Sequence, residues 1–128
     1  MKQYLFIFSL IILPVIIVAE AQYSTQYKPC LDRSGGVTLE MRICNSDELK
    51  YQDKILNKYY TQAMKVLDAK HRDELKKVQR LWVKYRDTKC GFLFGLTGGT
   101  MELIIGGGCH VDMTAERAQE LKSIANMM

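Results

Sequence analysis

The residues of this sequence that could carry chemistry are a set of carboxylates (Glu40, Asp47, Glu48 and Asp53), four cysteines, two histidines and a glycine-rich stretch, Gly91–Gly108. Paired carboxylates cleave glycosidic bonds when they face each other across a cleft at a set separation, one of them held protonated. These four share one predicted helix; composition leaves a carboxylate pair open, but a hairpin this small offers no obvious cleft for one to face across. No Ser/His/Asp or Cys/His set is visible for nucleophilic catalysis. His71 and His110 could join cysteines around zinc, but no Cys-x-x-Cys pair exists and no metal is expected. The glycines lack a following Gly-Lys-Ser/Thr and lack dinucleotide spacing before a helix, so they are not a phosphate cradle. The expectation is a binding protein with no cofactor, not an enzyme.

The cysteines fit that expectation through the compartment. Lys2 gives a short positive start, Tyr4–Val18 is almost wholly apolar, and Ala19-Glu20-Ala21 offers small residues at the two positions a signal peptidase reads. Residues 1–21 are therefore expected to be a cleaved signal peptide, and residues 22–128 one small helical domain. Position 22 is Gln22, not cysteine, so no lipid anchor is expected and the product is periplasmic or secreted. All four cysteines lie in the exported part, where two disulfides are the default. Three pairings are possible. Cys30–Cys44 and Cys90–Cys109 are favoured, since each closes a short loop at a predicted helix end. Lys2 and Glu20 leave with the leader, so the net charge of +4 is unchanged.

The elements that position these groups are helices. Asp73–Cys90 places Leu75, Val78, Trp82 and Tyr85 at three-and-four spacing, an apolar stripe around the only tryptophan. Lys77, Arg80 and Lys84 fall on the opposite, wet face. A second helix opens at Val37 or Thr38 and runs to about Ala69 without proline or glycine. Its inward face comprises Met41, Leu49, Ile55, Leu56, Tyr59, Ala63, Val66 and Leu67, interrupted by Asn45, Glu48 and Gln52. Polar groups on a core stripe need partners or they cost stability. A break near Asp68–Arg72 folds the two helices into an antiparallel hairpin, with Arg86 level with Gln52–Asp53. The predicted tie is a partly buried Glu48–Arg86 ion pair, with Gln52 or Asn57 nearby. Gln22–Gly36 reads as an irregular lead-in. Gly91–Gly108 reads as turns around a short helix, Met101–Ile105, capped by Thr100; Thr114 then caps a last helix, Ala115–Ala125, with Ala118, Leu121 and Ala125 inward. The fold class is all-α: a small disulfide-stapled bundle built on a long antiparallel helix hairpin plus a C-terminal helix.

Several of these residues form a pattern. Thr38-Leu-Glu-Met-Arg-x-Cys44, Leu56-Asn57-x-x-Tyr60, Val78-Gln79-Arg80-x-Trp82-x-x-Tyr85-Arg86-Asp87-x-x-Cys90, Gly98-Gly99-Thr100 and Cys109 with Thr114-x-x-Arg117-Ala118-x-x-Leu121 resemble the LprI-like family of small exported bacterial domains, named after a mycobacterial lysozyme inhibitor. The resemblance spans roughly Cys30 to Leu121 and implies an all-helical, disulfide-bonded domain. Within it, Glu48, Asn57, Gln79, Trp82, Tyr85, Arg86 and Asp87 read as structural: Trp82 and Tyr85 as core, Arg86 and Glu48 as a polar tie.

The family name implies inhibition of lysozyme or a related peptidoglycan hydrolase. The candidate contacts are the loop carrying Gly98, Gly99 and Thr100, and the cations Lys77, Arg80 and Lys84. Many lysozymes are basic, so a partner of charge +4 meets long-range repulsion. The other reading is a basic envelope protein that binds a membrane surface, wall polymer or acidic protein without inhibiting an enzyme. From Lys70 to Lys89 there are eight Lys/Arg against three Asp/Glu, the feature an anionic partner would use, although such a run is more usually a solvated helix face. Export disfavours nucleic acid. The oligomeric state is open.

Overall fold

The computed structural model describes residues 22–127, and the expected signal peptide lies outside them. Four helices make up the fold: α1 (Tyr27–Arg33), α2 (Thr38–Val66), α3 (Ala69–Phe94) and α4 (Met101–Met127). α2 contains no proline or glycine and reaches roughly 43 Å at 1.5 Å per residue. Leu67-Asp68 separates it from α3. Leu67 and Asp68 are extended, and the Asp68 carboxylate accepts from the His71 N–H, which opens the next helix. Asp53 of α2 meets Arg86 of α3 at 3.7 Å, so the two run antiparallel in the expected register.

The space between them is filled by α4, which packs along α2 and also against α3. Val111, Thr114, Ala115, Ala118 and Leu121 of α4 are fully buried along one face, and the buried Gly106, Met113 and Arg117 extend burial to a second side, as its position between two neighbours requires. Leu56 and Ala63 of α2, Leu75 of α3 and Ala118 and Leu121 of α4 form the core, with Trp82 packed against its edge. The disulfides join Cys30 to Cys44, holding α1 on α2, and Cys90 to Cys109, holding α3 on α4.

Several expectations are corrected here. The lead-in is not irregular throughout: it contains α1, whose Pro29 falls in the first turn, where a missing N–H is harmless. The second hairpin helix begins at Ala69 and continues through Gly91 to Phe94. Its inward line is Leu75, Gln79, Trp82, Arg86 and Cys90, the first and last buried and the three between them half-buried, while Val78 and Tyr85 are 49% and 59% exposed. Val66 is likewise exposed at the end of α2. The glycine-rich loop shrinks to Gly95–Thr100, because Gly106, Gly107 and Gly108 lie inside α4. A side chain at Gly106 would meet the Phe94 ring 2.5 Å away, and one at Gly107 the Asn45 amide at 2.9 Å. Close helix approach, not a turn, explains these two. Thr114 is no cap: it is buried within α4, and its hydroxyl accepts from Arg86 Nη1 at 3.2 Å.

Candidate functional site

Burying Asn45, Glu48 and Gln52 on one face of α2 calls for donors and acceptors, and the N-terminal segment supplies most of them. The Glu48 carboxylate accepts from the Ser24 N–H (2.9 Å), the Ser24 hydroxyl and Gln52 Nε2 (2.7 Å). Gln52 Nε2 also donates to the Gln22 carbonyl, and the Tyr27 hydroxyl donates to Asn45 Oδ1 at 2.8 Å. Asn45 Nδ2 in turn reaches the Ile104 carbonyl of α4. The predicted Glu48–Arg86 pair is therefore absent. Neutral donors satisfy Glu48, whereas Arg86 binds Asp87 (2.9 Å), Asp53 and Thr114. This cluster is structural: it ties residues 22–27 to α2.

A second arrangement faces solvent. Because α4 separates α2 from α3, an open groove of about 500 Å³ runs between those two helices on one side. Asp53, Asn57 and Tyr60 line it from α2; Gln79, Arg80, Trp82 and Arg86 are among those that line it from α3. The Trp82 indole forms part of the wall, with the Arg86 guanidinium 5.0 Å and the Arg117 guanidinium 6.0 Å from its ring centroid. Arg117 is buried; its Nε donates to Gln79 Oε1 at 3.0 Å and its Nη1 to Glu120. Its Nη2 has no hydrogen-bond partner among the described residues, so contact with the indole face partly offsets the lost hydration. Residues of the Leu56-Asn57-x-x-Tyr60 and Gln79-Arg80-x-Trp82 patterns thus converge on one concavity. One residue offset on α3 explains why the sequence hid it: the polar, half-buried Gln79 and Arg86 belong to the inward line.

A third feature is the tip, Gly95–Thr100. Glu102 is buried at 5% exposure, and its carboxylate accepts from the backbone N–H groups of Thr97 and of Gly98, the latter at 3.0 Å. Gly98 adopts φ +79, a conformation that favours glycine. Thr100 occupies the position before α4, but its hydroxyl makes no capping hydrogen bond among the described residues; the Glu102 carboxylate instead ties the preceding loop back to the first turn. The Cys90–Cys109 bridge fixes the base, with the Met113 sulfur packed 3.8 Å from Cys90 Sγ. Leu96 and Met101 are exposed at this end, and Glu102 is the only Asp, Glu, Lys or Arg between Gly91 and Gly108.

The sequence-derived candidates divide among these places. Gly98, Gly99 and Thr100 sit exposed on the tip. Lys77, Arg80 and Lys84 are exposed along α3, with Arg80 at the groove and roughly 20 Å from the tip. They do not form one site with the glycines. Asn57 is exposed, Asp87 half-exposed between Arg86 and His110 Nε2 (3.6 Å), and Tyr85 faces solvent instead of the core. Among the described residues no group of three or more His, Cys, Asp or Glu is placed to hold a metal.

A family model described as "Lysozyme inhibitor LprI" matches residues 30–121. The Rhizobium meliloti (strain 1021) protein named "Uncharacterized protein R02472" is 30% identical over 100 residues, covering 67% of this chain and 72% of that protein. No solved structure matches.

Proposed function

The chain belongs to the lysozyme inhibitor LprI family, and from that premise we propose that it is an exported, non-catalytic protein that binds and inhibits a lysozyme or a related peptidoglycan hydrolase. The match across residues 30–121 is the observation that carries this reading. Residues 1–21 act in it as the leader for export to the periplasm or beyond. No helix among the described residues is long and apolar enough to cross a membrane.

The contact assigned to the hydrolase is the tip. An inhibitor gains affinity when its inserted segment is ordered before binding, since less conformational freedom is then lost. Glu102 and the Cys90–Cys109 bridge supply that ordering around Gly98, Gly99 and Thr100. The tip also answers the charge mismatch. A molecule of net charge +4 is repelled by a basic hydrolase at long range, but an uncharged end brings no cation into the contact itself. Purified protein should slow wall clearing by at least one member of a panel of lysozymes and lytic transglycosylases. Leu96→Asp, at a position 51% exposed, should weaken inhibition about tenfold or more at an unchanged melting temperature, because a carboxylate must then be desolvated in the contact. Undiminished inhibition by Leu96→Asp removes the tip from the reading. No inhibition of any panel member removes the reading itself.

The exposed row Lys77, Arg80 and Lys84 favours a second reading, a basic envelope protein that binds an anionic partner without inhibiting an enzyme. Salt-sensitive retention on anionic vesicles, with wall clearing unaffected, would select it.

A further inference from the structure

The groove between α2 and α3 has a composition that the packing of the fold does not use up. Arg80 is exposed at its rim and makes no ion pair among the described residues. Asn57 is exposed beside it, and neither the Asn57 amide nor the Tyr60 hydroxyl has a hydrogen-bond partner within the described residues. Gln79 spends its carbonyl oxygen on Arg117, which leaves its amide N–H groups available. The uncommitted capacity is therefore mostly donor capacity: a guanidinium, two side-chain amides and a phenol around one concavity. Lys76 is paired with Asp73 and Arg86 with Asp87 and Asp53, so Arg80 is the one cation lining the groove without an acidic partner among the described residues. Concave sites with a few convergent polar groups on an aromatic wall are where small ligands and single side chains bind. A planar acceptor-only group suits such a set, since a guanidinium can hold both oxygens of one carboxylate at once.

We propose that the groove between α2 and α3 is a binding site for a carboxylate-bearing ligand, held by Arg80 with Asn57 and Gln79 beside the Trp82 wall. The carboxylate is either an acidic side chain of a peptide or the acid group of a carboxylated sugar. The site is roughly 20 Å from the tip, so it can be occupied whether or not a hydrolase is inhibited. Asp53 is the one group there that opposes an anion, and its carboxylate is partly neutralised by Arg86 at 3.7 Å.

Trp82 is the only tryptophan, so its emission reports on this groove directly. The full exported chain is titrated with tetraglutamate, tetraglutamine, N-acetylmuramic acid and inorganic phosphate. Tetraglutamate or N-acetylmuramic acid should change the emission saturably and tetraglutamine should not; whichever acid saturates at the lower concentration names the source. Arg80→Gln should weaken binding at least about tenfold, by losing a charge-assisted pair. Asn57→Asp, which alters an exposed position and adds a like charge, should weaken it as well. Asp53→Asn should strengthen it severalfold. Lys50→Gln, the same charge change elsewhere on α2, should leave it unaltered. The site is overturned if neither acid gives a saturable change, if tetraglutamine or phosphate binds as well as the acids, or if Lys50→Gln costs as much as Arg80→Gln, since diffuse charge would then be the cause.

Discussion

Tyr27 shows how one side chain links the N-terminal segment to pH. Burial, first, and the nearby carboxylates of Asp112 and Glu48 push its phenol up to about 12 from an ordinary value of 10.0. The folded chain thus holds a proton that the unfolded chain releases, and stability present below pH 10 is lost as pH rises towards 12. Tyr23, raised by burial and by its hydrogen bond to Asp112 Oδ1, contributes in the same direction. Tyr27→Phe should lower stability at neutral pH by about 1 kcal/mol, because Asn45 Oδ1 loses its donor. The same variant should show a shallower decline than the wild type in urea-unfolding midpoints measured from about pH 9 to 11.5. Parallel declines would mean that Tyr27 is not tightly placed on α2. The polar interruption at Asn45, Glu48 and Gln52 is legible from helical spacing alone. Its partners are not: the Ser24 N–H and the Gln22 carbonyl belong to a segment without periodicity, and backbone groups leave no mark in a sequence.

The glycines of α4 set intrinsic helix preference against packing between elements. Glycine inside a helix costs roughly 0.5–1 kcal/mol relative to alanine, so Gly106-Gly107-Gly108 in a sequence argues for a loop. The helix continues through them because two of the three allow neighbours to approach where a side chain would collide. A methyl group added at Gly108 would meet nothing within 4 Å, so Gly108→Ala should raise stability by about 0.5–1 kcal/mol. Gly106→Ala should lower it by roughly 1–3 kcal/mol, since the Phe94 ring must move out of its place. Urea unfolding of both variants checks the pair, and a shared sign would show that only one of the two effects operates. α3 carries a related lesson. Apolar residues alone point to Leu75, Val78, Trp82 and Tyr85, whereas the inward line includes the half-buried Gln79 and Arg86, whose polar ends are met by Arg117 and Thr114. Periodicity finds the helix and misplaces its face by one residue.

At the scale of the whole molecule, the hairpin holds its register without holding itself together. Helical patterning says which face is buried but not against what, and so α4 reads in the sequence as an addition to a finished hairpin. Instead α4 lies between the two arms and supplies Ala118 and Leu121 to the core they share with it. It also supplies Thr114 to Arg86, Arg117 to Gln79, the Ile104 carbonyl to Asn45 and Cys109 to Cys90. A chain ending at Gly99 would expose the apolar faces of both arms and strip each of these polar groups of its partner on α4. The cost cannot be recovered by closing the arms on each other, because the faces that would meet carry Gln79, Arg86, Asn45 and Gln52, shaped for other partners. Such a truncated chain should therefore retain helical circular dichroism in part but lose a cooperative unfolding transition, with Trp82 emission already solvent-like before denaturant is added. A truncated chain that unfolds cooperatively, with buried-type Trp82 emission, would show that the hairpin is an independent unit and that α4 merely docks on it.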